Sequence, residues 1–469
     1  MRVLFASAEA LPYYKTGGLA DVARALPDAL AEMGADVRII HPLYPITRNR
    51  LAEDMPGEAG TIPWPGGDLP VRYHVHEGGK SHADAVLVEQ DAFFDTTQPY
   101  AGSATDPLEL GRRFALFSRA IVAYARRWGA DLVHVNDWPT GFVPVYALLD
   151  GLEAPTIFAI HNLAYQGNFP PELLAQVGVP YDLFRTENGL EFYRLASFMK
   201  AGITFSDRIV TVSPTYANEM RTPQFGAGFD GLLHYRRRNL YGILNGIDTS
   251  TWNPAGDPAL KASYNARKLD GKEVMRAALL EECGLEDGGP LFVMVTRFAH
   301  QKGVDLVLDT LPELIHLGGR LAVLGDGDAG LASALAAAAA HAPDRIAVVP
   351  RFDEGLAHRL YSGGDFFLMP SRYEPCGLGQ MIAQRYGTPP IVRATGGLAD
   401  TVTDAKTGFC FTAPSAEELR HAVQRATTAW RARGWNALRR RCMRLDWSWS
   451  RSAMLYEQLY RLAVGRLAG

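Results

Sequence analysis

The sequence predicts an α/β protein with two doubly wound domains, each built on a parallel sheet. Two observations carry that prediction. Short apolar runs recur along the chain, each followed by a polar or Gly-rich loop and then a helical pattern. These runs also fall into two series, at residues 2–6, 36–40, 132–135, 156–160 and 208–212, and then at 291–296, 320–324, 345–349, 366–369 and 390–392. Continuous Val/Ile/Leu runs, unlike alternating ones, suit strands covered by helices on both faces.

The break between the series falls at 235–252, where the run Arg236, Arg237, Arg238 precedes a new strand pattern at 240–248. The Arg run itself reads as a solvated helix end. Residues 1–240 and 241–448 are accordingly expected to form the two main domains. Residues 55–70 are rich in Pro and Gly and are expected to form a surface loop or hairpin connection. The Ala-rich stretch 333–341 is expected to be a surface helix. No internal repeat of 20–50 residues occurs.

Composition narrows the function classes. The 469-residue chain carries a net charge of −4 and a pI near 6.3. Nucleic acid as the main partner would need a basic face, so it is disfavoured. The four cysteines (Cys283, Cys376, Cys410 and Cys442) show no CxxC spacing and read as free thiols in a reducing compartment. The opening MRVLFASAEA reads as a buried strand, not a signal peptide. No apolar run is long enough for a membrane span, and a cytoplasmic location is expected.

In doubly wound folds ligands bind at the carboxyl ends of strands, so the loops there hold the candidate chemistry. Lys15-Thr-Gly-Gly-Leu-Ala-Asp21 joins the first strand to a helical pattern at 19–33. Gly17 and Gly18 would let a ligand come close, and Lys15 and the helix start suit phosphate. A plain strand-to-helix turn explains the same residues. Arg297 and Lys302 follow the strand at 291–296, and two cations there fit a diphosphate, or else surface ion pairs. The turn Gly325–Asp328, with Gly327, faces a nucleotide or simply ends a strand.

Glu374, in Pro370-Ser-Arg-Tyr-Glu-Pro-Cys-Gly-Leu378, could bond sugar hydroxyls or cap a helix. Cys376 reads as a small packed residue, with no base beside it to make it a nucleophile. Thr395-Gly396-Gly-Leu-Ala-Asp400 repeats the TGGLAD of 16–21, so matching turns from the two halves are expected to face each other across a cleft. His161 ends a strand and could position a sugar or be a satisfied structural residue. Asp137 and Trp138 could supply a carboxylate and a stacking ring. No HExxH, Cys/His cluster or GxSxG is present, so neither a metal set nor a serine triad is expected.

Taken together, these segments resemble the bacterial glycogen synthase and plant starch synthase family, retaining glycosyltransferases of the GT-B fold, with two Rossmann-like domains. The matching stretches are SAEALPYYKTGGLADV (7–22), HVNDW (134–138), IHNLAYQG (160–167), TVSPTYANEM (211–220), ILNGIDTSTWNP (243–254), TRFAHQKGVDL (296–306), LGDGD (324–328), MPSRYEPCGLGQ (369–380) and ATGGLADTV (394–402). They run in family order along nearly the whole chain.

The resemblance implies that Lys15, Gly17 and Gly18 contact the sugar nucleotide. Arg297 and Lys302 would hold the diphosphate, and Glu374 the glucosyl hydroxyls. His161 would sit beside the anomeric carbon, Asp137 near sugar or acceptor, and Asn245 at the hinge. Asp21, Gly327, Cys376, Gly377, Leu378, Thr395 and Gly396 join the nucleotide-sugar set through their motifs. Residues 449–469 would cross back onto the first domain. The implied reaction moves glucose from ADP-glucose to the 4-hydroxyl end of an α-1,4-glucan, without metal or other cofactor. The leaving diphosphate and the incoming hydroxyl would share one face of the sugar.

The chain departs from the family pattern at Asn136 and Pro139, where many bacterial members read HDWH, and at Gly379, where many have Thr. The segment around Tyr100 differs as well, and the chain is shorter after Thr403. Two rival readings are a GT-B enzyme with another donor or acceptor, such as a sucrose- or trehalose-forming transferase, and a non-catalytic glucan-binding scaffold. KTGGLADV and EPCGL disfavour the first, and the presence of Lys15, Arg297, Lys302 and Glu374 disfavours the second.

Overall fold

The computed structural model describes residues 1–49, 51, 56–79 and 82–465. The chain divides into two units, Met1–Leu244 with Trp449–Gly469, and Asn245–Ser448.

The first unit contains β1 (Arg2–Ala6), β2 (Asp36–Pro42), β3 (Gly57–Ile62), β4 (Leu69–His76), β5 (Asp84–Glu89), β6 (Leu132–Asn136), β7 (Thr156–Ile160), β8 (Asn168–Phe169), β9 (Glu191–Phe192), β10 (Leu195–Ser197), β11 (Arg208–Thr211) and β12 (Leu240–Gly242). Nine of these strands form one sheet in the order β12-β11-β7-β6-β1-β2-β5-β4-β3. It is parallel from β12 to β5, while β4 and β3 add antiparallel at one edge. Strands β8, β10 and β9 form a separate small sheet.

The apolar runs explain the central strands. Val3, Leu4 and Phe5 have no exposed surface, as expected of a strand covered on both faces. The helix Leu19–Glu32 sets Val22, Ala23, Leu26 and Leu30 into this core. The helix Trp449–Val464 joins the same core through Trp449, Ala453, Tyr456 and Tyr460. Its Tyr460 hydroxyl lies 2.7 Å from His134 Nδ1, which anchors the last helix to β6.

The edge hairpin is less visible in the sequence. Residue 55 lies outside the described residues, but β3 and the start of β4 occupy much of the expected loop, paired with Gly60 opposite Val71. Glycine is a poor strand former, yet it serves here as spacing. A Cβ on Gly57 would lie 2.6 Å from the His74 ring, and one on Gly60 2.9 Å from the Tyr73 ring.

The second unit contains β13 (Leu291–Val295), β14 (Arg320–Leu324), β15 (Ile346–Val349), β16 (Phe366–Met369), β17 (Pro390–Arg393) and β18 (Phe409–Phe411). They form a parallel sheet in the order β15-β14-β13-β16-β17-β18. The chain runs outward from β13 to one edge, then returns to β16 and runs to the other. The two strands at this reversal are neighbours, and a crevice opens beyond their carboxyl ends. In the first sheet the corresponding reversal lies between β1 and β6. The Ala-rich helix, Ala329–His341, lies at the surface with Leu335 as its fully buried residue.

Candidate active site

In the first unit the candidate residues follow β1, β6 and β7, three adjacent strands. The organising group after β1 is Glu9, which is buried. Its carboxylate accepts from Thr16 N and Thr16 Oγ1, both at 2.6 Å, from Gly17 N at 3.0 Å and from the Tyr100 hydroxyl at 2.9 Å. The Thr16–Gly17 turn is therefore held from beneath by one carboxylate. Above it, Lys15 Nζ lies 2.8 Å from Asp21 Oδ1. Both side chains are substantially exposed, so the pair adds little stability and leaves the ammonium within reach of an incoming anion.

After β6 the backbone turns sharply. Asp137 has φ 55° and ψ −178°, a conformation that costs a non-glycine residue of order 1–3 kcal/mol. The turn aims its carboxylate at the start of the next loop, where Oδ1 accepts from His161 N at 2.7 Å. Burial pushes the Asp137 carboxyl up to about 7, against the hydrogen bonds from His161 and Asn162, which favour the ion.

Asn136 fixes the His161 ring. Its Nδ2 donates to Ala6 O at 2.9 Å, which leaves Oδ1 facing His161 Nε2 at 2.8 Å. In this arrangement Nε2 carries the proton and Nδ1 is an acceptor. Burial lowers the His161 pKa to about 4, so the ring is neutral near pH 7.

In the second unit, the loops after β13 and β16 close on a cavity of about 240 Å³. Arg297, Lys302, Ser371, Glu374, Gly377, Leu378 and Gly379 are among its lining residues. Lys302 Nζ lies 2.6 Å from Glu374 Oε2, and Ser371 Oγ donates to the same oxygen at 3.0 Å. The carboxylate thus fixes one cation at the wall, while Arg297 remains exposed on the loop. Two cations and a single carboxylate give the cavity affinity for a multiply charged anion.

Other expected residues shape this wall from behind. Gly327 sits on a turn bridged to Phe298, beside Arg297. Cys376 is buried, its thiol pushed up to about 12 by desolvation, which removes it as a nucleophile. Asn245 is also buried, and its Oδ1 has no hydrogen-bond partner among the described residues. Thr395 stands at the start of the helix Gly396–Thr401, where its main-chain carbonyl accepts from Leu398 N at 3.0 Å, and Gly397 N donates to the carbonyls of Glu374 and Pro375, both at 3.1 Å.

The repeated TGGLAD motif therefore has two different physical meanings. Gly17 and Gly18 are exposed, and a Cβ on either would meet nothing within 4 Å. Nothing inside the protein demands glycine at those positions. Gly396 instead has φ 45°, and a Cβ there would lie 1.9 Å from Glu374 O. The Cβ of residue 397 would lie 2.1 Å from Cys376 O. The second motif packs tightly behind Glu374, a constraint that the first motif does not carry.

Trp138 also differs from the sequence reading. It does not offer a free ring for stacking, because it is buried edge to face against Phe114, with centroids 4.9 Å apart, and among Tyr100, Phe169 and Phe198. Glu9, Tyr100 and Ser371 are site residues that the motifs did not single out. Glu9 left one signal, a carboxylate in the loop after the first strand, inside an otherwise small and apolar stretch. Among the described residues there is no cluster of three or more His, Cys, Asp or Glu able to hold a metal, and no helix is long and apolar enough to cross a membrane.

Residues 2–235 match the starch synthase catalytic domain model, and residues 276–440 match the model for glycosyl transferases group 1. A glycogen synthase from Halorhodospira halophila is 44% identical over 483 residues, covering 99% of both chains. One from Myxococcus xanthus is 43% identical over 475 residues, covering 98% of this chain and 99% of the other. The catalytic domain of starch synthase IV from Arabidopsis thaliana, solved bound to ADP and acarbose, superposes with a TM-score of 0.86 at 33% identity, covering 99% of each chain. Sucrose-phosphate synthase from Thermosynechococcus elongatus shares the fold, with a TM-score of 0.62 at 21% identity and 99% coverage of each chain. With near-complete coverage at this identity, and with the motif residues standing where two parallel sheets open their crevices, the chain belongs to the glycogen synthase and starch synthase family of glycosyltransferases.

Proposed function

We propose that this enzyme transfers glucose from ADP-glucose to the non-reducing 4-hydroxyl of an α-1,4-glucan, with retention of configuration. The observation that carries the reading is the cavity holding Arg297, Lys302 and Glu374 at the reversal of the second sheet. A nucleoside diphosphate leaving group develops negative charge as its bond to the sugar breaks. A cation already fixed in a partly desolvated wall, Lys302, stabilises that charge with little reorganisation, with Arg297 on the same loop. Glu374 holds Lys302 in place and has acceptor capacity left for sugar hydroxyls.

Retention follows if the acceptor hydroxyl enters on the face the diphosphate leaves. Its proton then passes to the departing phosphate oxygen, so no dedicated base is needed. The demand on the protein is positioning and charge stabilisation. Lys15, Gly17, Gly18 and Asp21 are assigned to sugar-nucleotide contact. His161, fixed as a neutral ring, and Asp137 are assigned to the transferred sugar and the acceptor. No metal or other cofactor is required by this scheme. The ADP bound to the related starch synthase supports the adenine donor. A cytoplasmic location fits such substrates.

The test is transfer of radiolabelled glucose to glycogen from ADP-glucose and UDP-glucose side by side. Transfer chiefly from ADP-glucose is expected. Transfer chiefly from UDP-glucose would overturn the donor assignment, and transfer from neither would overturn the reaction.

A further inference from the structure

A polar group that the motifs do not name lines the same cavity. Tyr361 lies on the helix Glu354–Gly363 and is 4% exposed. Its ring is packed on three sides, against Trp252 at 5.6 Å, Phe367 at 5.2 Å and Tyr386 at 6.3 Å between centroids. Packing of this kind leaves the ring few alternative positions. The hydroxyl has no hydrogen-bond partner among the described residues, although Tyr361 is part of the cavity wall with Arg297, Lys302 and Glu374. The hydroxyl is not among the fully enclosed side-chain atoms that lack a partner, so it opens onto the cavity, where a ligand oxygen can reach it.

Gly379 explains how the hydroxyl reaches the cavity. It also lines the cavity, and a Cβ there would stand 3.2 Å from the Tyr361 hydroxyl and 2.9 Å from the Phe367 ring. Absence of a side chain at 379 leaves this space to the phenol. Desolvation raises the Tyr361 pKa, so the group is a hydrogen-bond donor throughout the working range of pH. Beside two cations, the ligand atoms best matched to such a donor are anionic oxygens.

We propose that the Tyr361 hydroxyl is a positioning residue that donates a hydrogen bond to the diphosphate of the bound nucleotide, in space opened by Gly379. The inference rests on reading this cavity as the diphosphate site.

The test is calorimetric binding of ADP, AMP and ADP-glucose to the full-length enzyme and to Tyr361→Phe, with thermal melts of both ligand-free proteins. Removing a hydroxyl that bonds nothing else in the protein should leave Tm unchanged. A structural hydroxyl would lower it. ADP and ADP-glucose should each bind about tenfold more weakly to the variant, as for loss of a bond to a charged group, with AMP changed less than about twofold on the same scale. Equal losses for ADP and AMP, or no loss for ADP, would overturn the proposal. A loss confined to ADP-glucose would assign the hydroxyl to the sugar and overturn it too. Wild-type enzyme that binds no ADP would defeat the reaction assigned above, whereas wild-type binding that survives Tyr361→Phe defeats this inference alone. Should the variant fold poorly, 3-fluorotyrosine at position 361 supplies a second readout. Its fluorine resonance should move on adding ADP and stay fixed with AMP, and equal movement with both would refute the contact.

Discussion

Replacing a single glycine in each TGGLAD motif by alanine should give opposite results, although the local sequences are the same. At Gly18 the backbone has φ −68° and ψ −15°, which alanine adopts freely, and a Cβ meets nothing within 4 Å. The stability change should stay within about 1 kcal/mol, the balance of a weaker helix cap and a less flexible unfolded chain. Activity should nevertheless fall, because the added methyl occupies space that the structure itself does not use and a ligand does. We expect a loss of at least about tenfold in kcat/KM, or roughly 1.4 kcal/mol.

At Gly396 the sequence of effects reverses. Alanine at φ 45° costs about 1–2 kcal/mol. Its Cβ, 1.9 Å from Glu374 O, forces the backbone apart at about 1–3 kcal/mol. The sum is about 2–5 kcal/mol, and at about 2–4 °C per kcal/mol the melting temperature should fall by about 4–20 °C. The assays are thermal unfolding and glucose transfer for both variants. Full activity in Gly18→Ala would show that no ligand approaches that turn. Wild-type melting in Gly396→Ala would refute the packing role of the second motif.

Three further outcomes follow from the same geometry. Lys302→Ala should lower kcat by about 10²–10³, the size found when a preorganised charge-stabilising group is removed, and wild-type turnover would remove Lys302 from the site. EDTA should leave glucose transfer intact, so strong inhibition restored by a divalent cation would reject the metal-free scheme. The last concerns pH. Burial holds His41, His134 and His161 at about 4, 3 and 4. Their folded values lie below the unfolded one near 6.5, so the stability tied to their neutral forms is intact above pH 6.5 and drains as pH falls towards 4. Asp137 has the opposite sign. Its carboxyl, raised from 3.8 to about 7, takes up a proton in the folded state first, and so partly offsets the loss between pH 7 and 4. Asp137→Asn should therefore steepen the acid loss of stability measured by urea unfolding. An unchanged slope would refute the raised carboxyl.

The parallel strands were legible because a strand covered on both faces must be apolar throughout, and Val3–Phe5 or Leu321–Leu324 leave no other reading. The edge hairpin was legible only as one of two alternatives for residues 55–70, since Gly57 and Gly60 make room for rings on the paired strand, a fact of pairing that no local pattern contains. The cations and carboxylate of the second unit were legible for a similar reason to the strands. Arg297, Lys302 and Glu374 stand in loops immediately after apolar runs, and the topology brings the loops after β13 and β16 together. Trp138 misled because a ring beside a strand end looks available until the packing of Phe114 and Phe198 against it is known.

Glu9 and Tyr361 mark the limit of motif reading. Each acts at long range along the chain, Glu9 on Tyr100 and Tyr361 beside Gly379, and each has its effect through burial. Glu9 is satisfied by the turn it holds, and so fixes the loop before any ligand arrives. Tyr361 is unsatisfied, and so keeps a donor in reserve for one. Lys302 stands between these cases. Its bond to Glu374 is short and largely shielded from water, and such a pair is worth less to stability than its distance suggests. Its value lies in keeping the ammonium still. In the proposed reaction a diphosphate would meet a cation whose orientation has already been fixed, and the charge that develops on departure would be met without further rearrangement.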